Sequence, residues 1–206
     1  MTMNKIVEYL DELYPNPKPE LKYNKDYELL IAVVLSAQTT DKKVNLVTEK
    51  LFKKYYNLNL LKDADVNDII EIIKPIGTYN KKALYVKNIA KSLLRCNGVV
   101  PNDRKFLESL DGVGRKTANV VLSNLYNENC IAVDTHVSRV SKRLKLANKN
   151  DDVLTIEKKL TKKFKDYNLC KLHHQLVLFG RYKCKALKPD CSDCKIKNIC
   201  SYKTNI

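Results

Sequence analysis

The chain has 206 residues, 44% of them hydrophobic and 30% charged, with only 5 Gly and 6 Pro. That composition is globular, too short for a large multidomain machine and too poor in turn residues for a many-stranded β fold. Lys and Arg number 38 against 23 Asp and Glu, a formal net charge of +15. The excess points to a polyanionic partner, most simply nucleic acid, although the scarcity of Arg and the abundance of Lys, Asn, Ile and Tyr also match drift in an AT-rich genome.

In chain order, Ile6, Leu10 and Leu13 recur at helical spacing and predict a first helix. Lys5, Glu8, Asp11 and Glu12 interrupt that stretch, so it does not read as an export signal, and a reducing cytoplasmic setting is expected. Pro15-Asn16-Pro17-Lys18-Pro19 cannot continue a helix and marks a candidate domain crossover. The longest apolar run, Leu29 to Ala37, is nine residues, well short of the roughly 18 to 20 of a membrane span. Helical periodicity returns in Val44, Val47, Leu51, Tyr55, then in Ala83, Val86, Ile89, Leu93, and again in Val153, Ile156, Leu160, Phe164. Asp41, Asp65, Asn102, Asp134 and Asp151 stand just ahead of periodic stretches, where a short acceptor satisfies free helix N–H groups. The reading is all-α, with about ten helices. Val120-Val121-Leu122 and Ile131-Ala132-Val133 are too short to classify alone and are expected to be helical by context. The Lys-rich stretch from Lys158 to Lys165 reads as the solvated face of a helix, because Leu160 and Phe164 keep the apolar period.

Two motifs carry chemistry. Leu110-Asp111-Gly112-Val113-Gly114-Arg115-Lys116-Thr117-Ala118 holds two of the five glycines between apolar helical faces, which predicts a helix, a tight hairpin and a second helix. Such a turn presents backbone N–H groups at a helix N-terminus, where orphan donors and the dipole favour phosphate. It resembles the helix-hairpin-helix module of sequence-independent DNA binding. The second motif is C-x6-C-x2-C-x5-C, formed by Cys184, Cys191, Cys194 and Cys200. Four thiolates this close can hold one tetrahedral metal or one cubane cluster; the single C-x2-C leans away from a zinc ribbon without excluding zinc. Cys96, Cys130 and Cys170 have no partner at ligand spacing and read as small buried apolar residues.

The hairpin, the segment Ile131-Ala132-Val133-Asp134-Thr135-His136-Val137 and the four-cysteine tail together resemble the endonuclease III family of DNA glycosylases. The likeness extends through Leu29 to Gln38, Ile76-Gly77-Thr78-Tyr79-Asn80-Lys81-Lys82-Ala83, and Cys170 with His173, His174 and Gly180-Arg181-Tyr182. It implies a helix-hairpin-helix DNA glycosylase fold. A six-helix domain would span 18–131, and a discontinuous iron–sulfur cluster domain 1–17 and 132–206, with DNA in the cleft between them. It also implies that the four cysteines hold a [4Fe-4S] cluster, and that the partner of this monomeric, membrane-free enzyme is double-stranded DNA bearing a damaged pyrimidine or an abasic site.

By that resemblance Lys116 is the nucleophile of a bifunctional glycosylase and abasic-site lyase. A helix N-terminus, Arg115 and partial desolvation would favour its neutral amine. Asp134, 18 residues on, matches the family's catalytic aspartate and would assist deprotonation and stabilise charge at C1′. Gln38 matches a residue that enters the space left by the flipped base; Thr78 stands at a wedge position where many relatives have an apolar residue. Gly112, Val113, Gly114 and Arg115 would contact phosphate through the hairpin, and Lys185 and Lys188 through the cysteine loop, where Asp190 replaces a frequent basic residue. His136, His173 and His174 are left off the catalytic set. Monofunctional relatives lack the hairpin lysine, and a non-catalytic DNA-binding module would have no use for Lys116 and Asp134 at family spacing.

Overall fold

The computed structural model describes residues 2–202 and is all-α, with eleven α-helices and no strand among the described residues. Two compact units form: Pro19–Tyr126, and the described parts of Met1–Lys18 and Asn127–Ile206.

The first unit contains α2 (Asp26–Leu35), α3 (Asp41–Lys54), α4 (Leu58–Asp63), α5 (Val66–Ile73), α6 (Tyr79–Leu94), α7 (Arg104–Ser109) and α8 (Arg115–Tyr126). These are seven helices where six were expected. The 58–73 stretch splits in two because Asn57 and Asp65 each cap a helix start and Ala64 between them is extended. Helix α2 is the centre of the unit: every residue from Tyr27 to Leu35 is buried, and α3, α6 and α8 pack around it. Each fully buried Leu, Ile or Val there contributes about 1.5–3 kcal/mol. The Glu28 carboxylate closes the first turn by accepting from the amides of Asn24 (2.8 Å) and Lys25 (3.3 Å).

The second unit joins both chain ends: α1 (Thr2–Leu13), α9 (Thr135–Arg143), α10 (Val153–Lys163) and α11 (Leu169–Leu178) share a core that includes Ile6, Leu10, Val140, Leu160, Phe164 and Leu176. Polar contacts fasten α1 to α11. Gln175 Nε2 donates to Asp11 Oδ1 (2.7 Å) and the Tyr14 carbonyl (3.0 Å), and Lys171 pairs with Asp11 at 2.6 Å. Residues 127–131 lie in this unit rather than in the six-helix domain, because Ile131 is buried in the same core as Ile6 and Leu10.

The segment Ile131-Ala132-Val133 is not helical, contrary to the contextual expectation. Its side chains are buried, and the Ala132 carbonyl is satisfied from outside by His173 Nδ1 at 2.9 Å, so no helical partner is needed. Three expected caps are displaced by one residue: Thr40, Asp103 and Asp152 cap α3, α7 and α10, each beside the Asp or Asn first chosen. Cys96, Cys130 and Cys170 are half-buried rather than buried. After α11 the chain winds through one π-helical turn, Phe179–Lys183. There Gly180 allows close approach to α9, since a Cβ would meet His136 Cβ at 2.9 Å and Val140 Cγ2 at 3.2 Å.

Candidate active site and cysteine loop

Helices α7 and α8 form the expected hairpin. Asp103 accepts from the amides of Lys105 and Phe106 to start α7, and Arg104 Nη1 donates to Asn119 Oδ1 at 2.5 Å, tying the two helices. Leu107, Leu110 and Val113 bury their side chains beneath the turn, so Val113 has only its backbone to offer a phosphate. Gly112 has φ +76°, and a Cβ there would meet the Tyr85 ring at 2.6 Å and Val34 at 3.1 Å. It is fixed by fold. Gly114 differs, since a Cβ there would meet nothing within 4 Å and its φ is ordinary. Asp111 Oδ2 accepts from Asn88 Nδ2 at 2.7 Å, which anchors the turn to α6.

The first helical hydrogen bond of α8 runs from the Ala118 amide to the Gly114 carbonyl at 3.0 Å. First-turn amides of an α-helix point back out of its N-terminus, here toward the glycine turn. Arg115 and Lys116 are exposed in this turn, whose own sequence contains no acidic residue. The partial desolvation expected for Lys116 is therefore not supplied by the chain itself. It would have to come from the bound substrate.

Asp134 is half-buried and is the N-cap of α9, its Oδ1 accepting from the Val137 amide at 2.7 Å. One oxygen thus serves the helix, and the carboxylate is fixed in direction. Gln38 is exposed in the turn after α2 with φ 57°. Thr78 is exposed at the N-cap of α6 with φ 55°, its hydroxyl donating to the Gly77 carbonyl at 2.7 Å. Both residues occupy the left-handed region that costs a non-glycine residue about 1–2 kcal/mol.

Cys184, Cys191, Cys194 and Cys200 line one pocket together with Leu144, Phe179, Pro189 and Tyr202. Among the described residues no three His, Cys, Asp or Glu gather tightly enough to hold a single metal ion. Burial pushes the Cys194 and Cys200 thiols up. Donors meet three of the sulfurs: Arg143 Nη1 at 3.3 Å from Cys184 Sγ, the Tyr202 amide at 3.4 Å from Cys200 Sγ, and the Ile196 amide on Cys194. Helix α9 also latches the loop through Arg139 Nη2 to the Gly180 carbonyl (2.5 Å) and Arg143 to the Lys185 (2.7 Å) and Ala186 (3.0 Å) carbonyls. Lys183 pairs with Asp193 (2.6 Å) and Asp190 (3.5 Å). Burial disfavours its charge, but these carboxylates outweigh that and hold it above the usual lysine range. Asp190 is turned to Lys183 and Ser192, while Lys185, Leu187 and Lys188 are exposed, Leu187 at 84%. The buried neighbours His173 and His174 are structural in kind; burial, then His173, pulls His174 down to about 4.

Sequence reasoning missed Lys82. It sits in the apolar stripe of α6 with Val86, Ile89 and Leu93 and is 3% exposed. The signal available was a lysine four residues before Val86 on the core-facing row.

A family model for the HhH-GPD superfamily of base excision DNA repair proteins matches residues 31–166. The chain is 46% identical to endonuclease III of Rickettsia felis over 97% of its own length and 94% of that protein's. It belongs to the endonuclease III family. Among solved structures of that family, a trapped endonuclease III–DNA covalent intermediate is 42% identical, with a TM-score of 0.91 over 97% of this chain and 94% of the other. A thermostable thymine-DNA glycosylase, at 24% identity and a TM-score of 0.82, shares the fold. The chain is therefore a base excision DNA repair protein built on the helix-hairpin-helix glycosylase fold. No described helix is long and apolar enough to cross a membrane.

Proposed function

We propose that this endonuclease III family member is a bifunctional DNA glycosylase and abasic-site lyase, acting in the cytoplasm on oxidised or saturated pyrimidines in double-stranded DNA. The observation that carries the reading is Lys116, an exposed amine in the first turn of α8 directly after the Gly112–Gly114 turn. Its chain is 42% identical to a protein caught covalently on DNA.

Flipping of the damaged nucleotide costs a few kcal/mol, less for a poorly stacked lesion, which biases the enzyme toward damage. Gln38 fills the space the base leaves, and Thr78 supports the opposite side as a short polar wedge. Backbone amides of the hairpin, with Arg115, hold the phosphates, and Lys185 and Lys188 add contacts from the cysteine loop. The neutral amine of Lys116 attacks C1′. The C1′–N bond breaks, the base leaves with its electron pair and takes up a proton, and the opened sugar becomes an imine on Nζ. Loss of a 2′ proton then expels the 3′ phosphate, nicking the strand by β-elimination, and water frees the lysine. Asp134 accepts a proton from the attacking amine and stabilises positive charge at C1′.

Cys184, Cys191, Cys194 and Cys200 would hold a [4Fe-4S] cluster. Four half-buried sulfurs around one apolar pocket fit a polynuclear group, whereas a single zinc would draw all four to about 2.3 Å from one point. When bound, the cluster supplies folding free energy to a loop with little core of its own. The Arg143 guanidinium would offset sulfur charge there, and the Tyr202 amide would add a hydrogen bond to it.

Borohydride reduction during reaction with a thymine glycol duplex tests the function. A stable adduct through Lys116 is expected. Base release with no adduct from the wild-type protein would establish a monofunctional glycosylase instead.

A further inference from the structure

Among the described residues, Lys82 is a buried cation with no carboxylate against it. Its Nζ donates to the Ala37 carbonyl at 2.7 Å and approaches Thr39 Oγ1 at 3.4 Å, both neutral acceptors, and burial lowers its pKa from the ordinary lysine value. Burying an ammonium costs several kcal/mol even after relaxation, and methionine would fill the same row of α6 without that cost. Packing therefore does not account for a lysine here. What the ammonium holds does. Ala37 and Thr39 flank Gln38, whose φ of 57° is strained for a residue with a side chain. The same residue also touches the other loop: the Lys82 amide donates to the Thr78 carbonyl at 3.1 Å, the first helical bond of α6, and Thr78 is left-handed as well, with φ 55°. One residue thus grips both strained turns, one through its backbone and one through its side chain.

We propose that Lys82 is a positioning residue for base flipping, tying the Gln38 turn to the Thr78 turn so that both enter the DNA as one preformed unit. The proposal rests on the reading of Gln38 and Thr78 given above. A loop ordered in advance loses less entropy on insertion, and a misplacement of about 1 Å in such a group costs up to ~10²-fold in rate.

The test is a cycle of Lys82→Met, Gln38→Ala and the double variant. Two single-turnover rates are followed: base release from a thymine glycol duplex, and nicking of a preformed abasic site. Lys82→Met is expected to slow base release about 10-fold or more, to affect abasic-site nicking less, and to leave thermal stability unchanged or raised. The double variant should be no slower than the slower single one, because Lys82 acts through Gln38. Lys82→Arg, which keeps a cationic donor, should recover part of the loss. Base release unchanged in Lys82→Met, or fully additive losses in the double variant, would overturn the proposal. If Gln38→Ala alone releases base at the wild-type rate, the role of Gln38 itself is wrong, and the proposal falls with it. Should Lys82→Met fail to fold, Lys82→Gln carries the same cycle: its neutral amide is too short to reach both acceptors, and the same outcomes decide.

Discussion

Helix α8 begins on the exposed pair Arg115 and Lys116 after a glycine turn, with no acid in its first turn; α9 begins on a half-buried aspartate whose own oxygen caps it. The first start leaves its dipole available to an incoming anion, and among the described residues no hydrogen bond or ion pair ties its lysine side chain to the fold. The second is satisfied from within, and its aspartate serves the helix before it serves any substrate. Chemistry and stability should therefore separate at Lys116 and overlap at Asp134.

Lys116→Gln gives the sharpest contrast. Trapping by borohydride and strand nicking should vanish, while thermal stability stays within about 0.5 kcal/mol because the side chain is exposed. Binding to damaged duplex should persist. A surviving imine adduct would move the nucleophile to another amine.

Next in size is Cys194→Ser, which tests what α9 is fastened to. If the four cysteines hold the proposed cluster, the wild-type protein is expected to be brown with about four irons per chain, and the variant should lose colour, iron and much of its solubility together, because metal binding and folding of such a loop are coupled. Metal analysis of the wild-type protein purified without oxygen decides the ligand: one zinc and no iron defeats the cluster assignment.

Asp134 allows its two duties to be weighed. Asparagine caps a helix as well as aspartate does, so Asp134→Asn should leave stability within about 0.5 kcal/mol yet slow base release by ~10²-fold or more. Nicking at preformed abasic sites should be spared in part, the base having already left. Asp134→Ala should add a stability loss of about 1 kcal/mol from the missing cap. Equal losses of base release and of abasic-site nicking in Asp134→Asn would tie the carboxylate to the lyase step.

The same division explains what the sequence disclosed. The glycine turn, the cysteine spacing and the capping aspartate are local patterns, each legible because its chemistry needs particular residues a few positions apart. Thr40, Asp103 and Asp152 replaced their neighbours as caps because Asp41, Asn102 and Asp151 are nearly as good acceptors, and tertiary fit chose between adjacent candidates. The irregular Ile131-Ala132-Val133 segment was misread because its hydrogen bonding depends on His173, 41 residues away from Ala132. Lys82 was missed for a related reason, although its place on the apolar row of α6 was visible. A lysine reads as surface unless the long-range acceptor it reaches, here 45 residues away, is known.

The two hairpin glycines carry the contrast between fold and function down to one turn, with the smallest expected effect at the second. Gly112→Ala forces a Cβ into the Tyr85 ring at 2.6 Å on a backbone with φ +76°, so stability should fall by about 2–4 kcal/mol from left-handed strain and overpacking together. Gly114→Ala meets open space at ordinary φ, and its fold should be unaltered. Glycine is nonetheless found there, at the mouth of the α8 N-terminus, where a phosphate must come within hydrogen-bond distance of the backbone and an added methyl would stand in its way. Gly114→Ala should then weaken intact and damaged duplex alike, by about 3- to 10-fold, roughly the net worth of one ordinary hydrogen bond. The loss should be the same for unrelated sequences, because the contact reads phosphate and not base. Binding titrations at fixed salt, alongside a thermal melt, resolve the two glycines. An unchanged affinity in Gly114→Ala would remove the hairpin from the DNA interface and leave Gly112 as a residue of the fold alone.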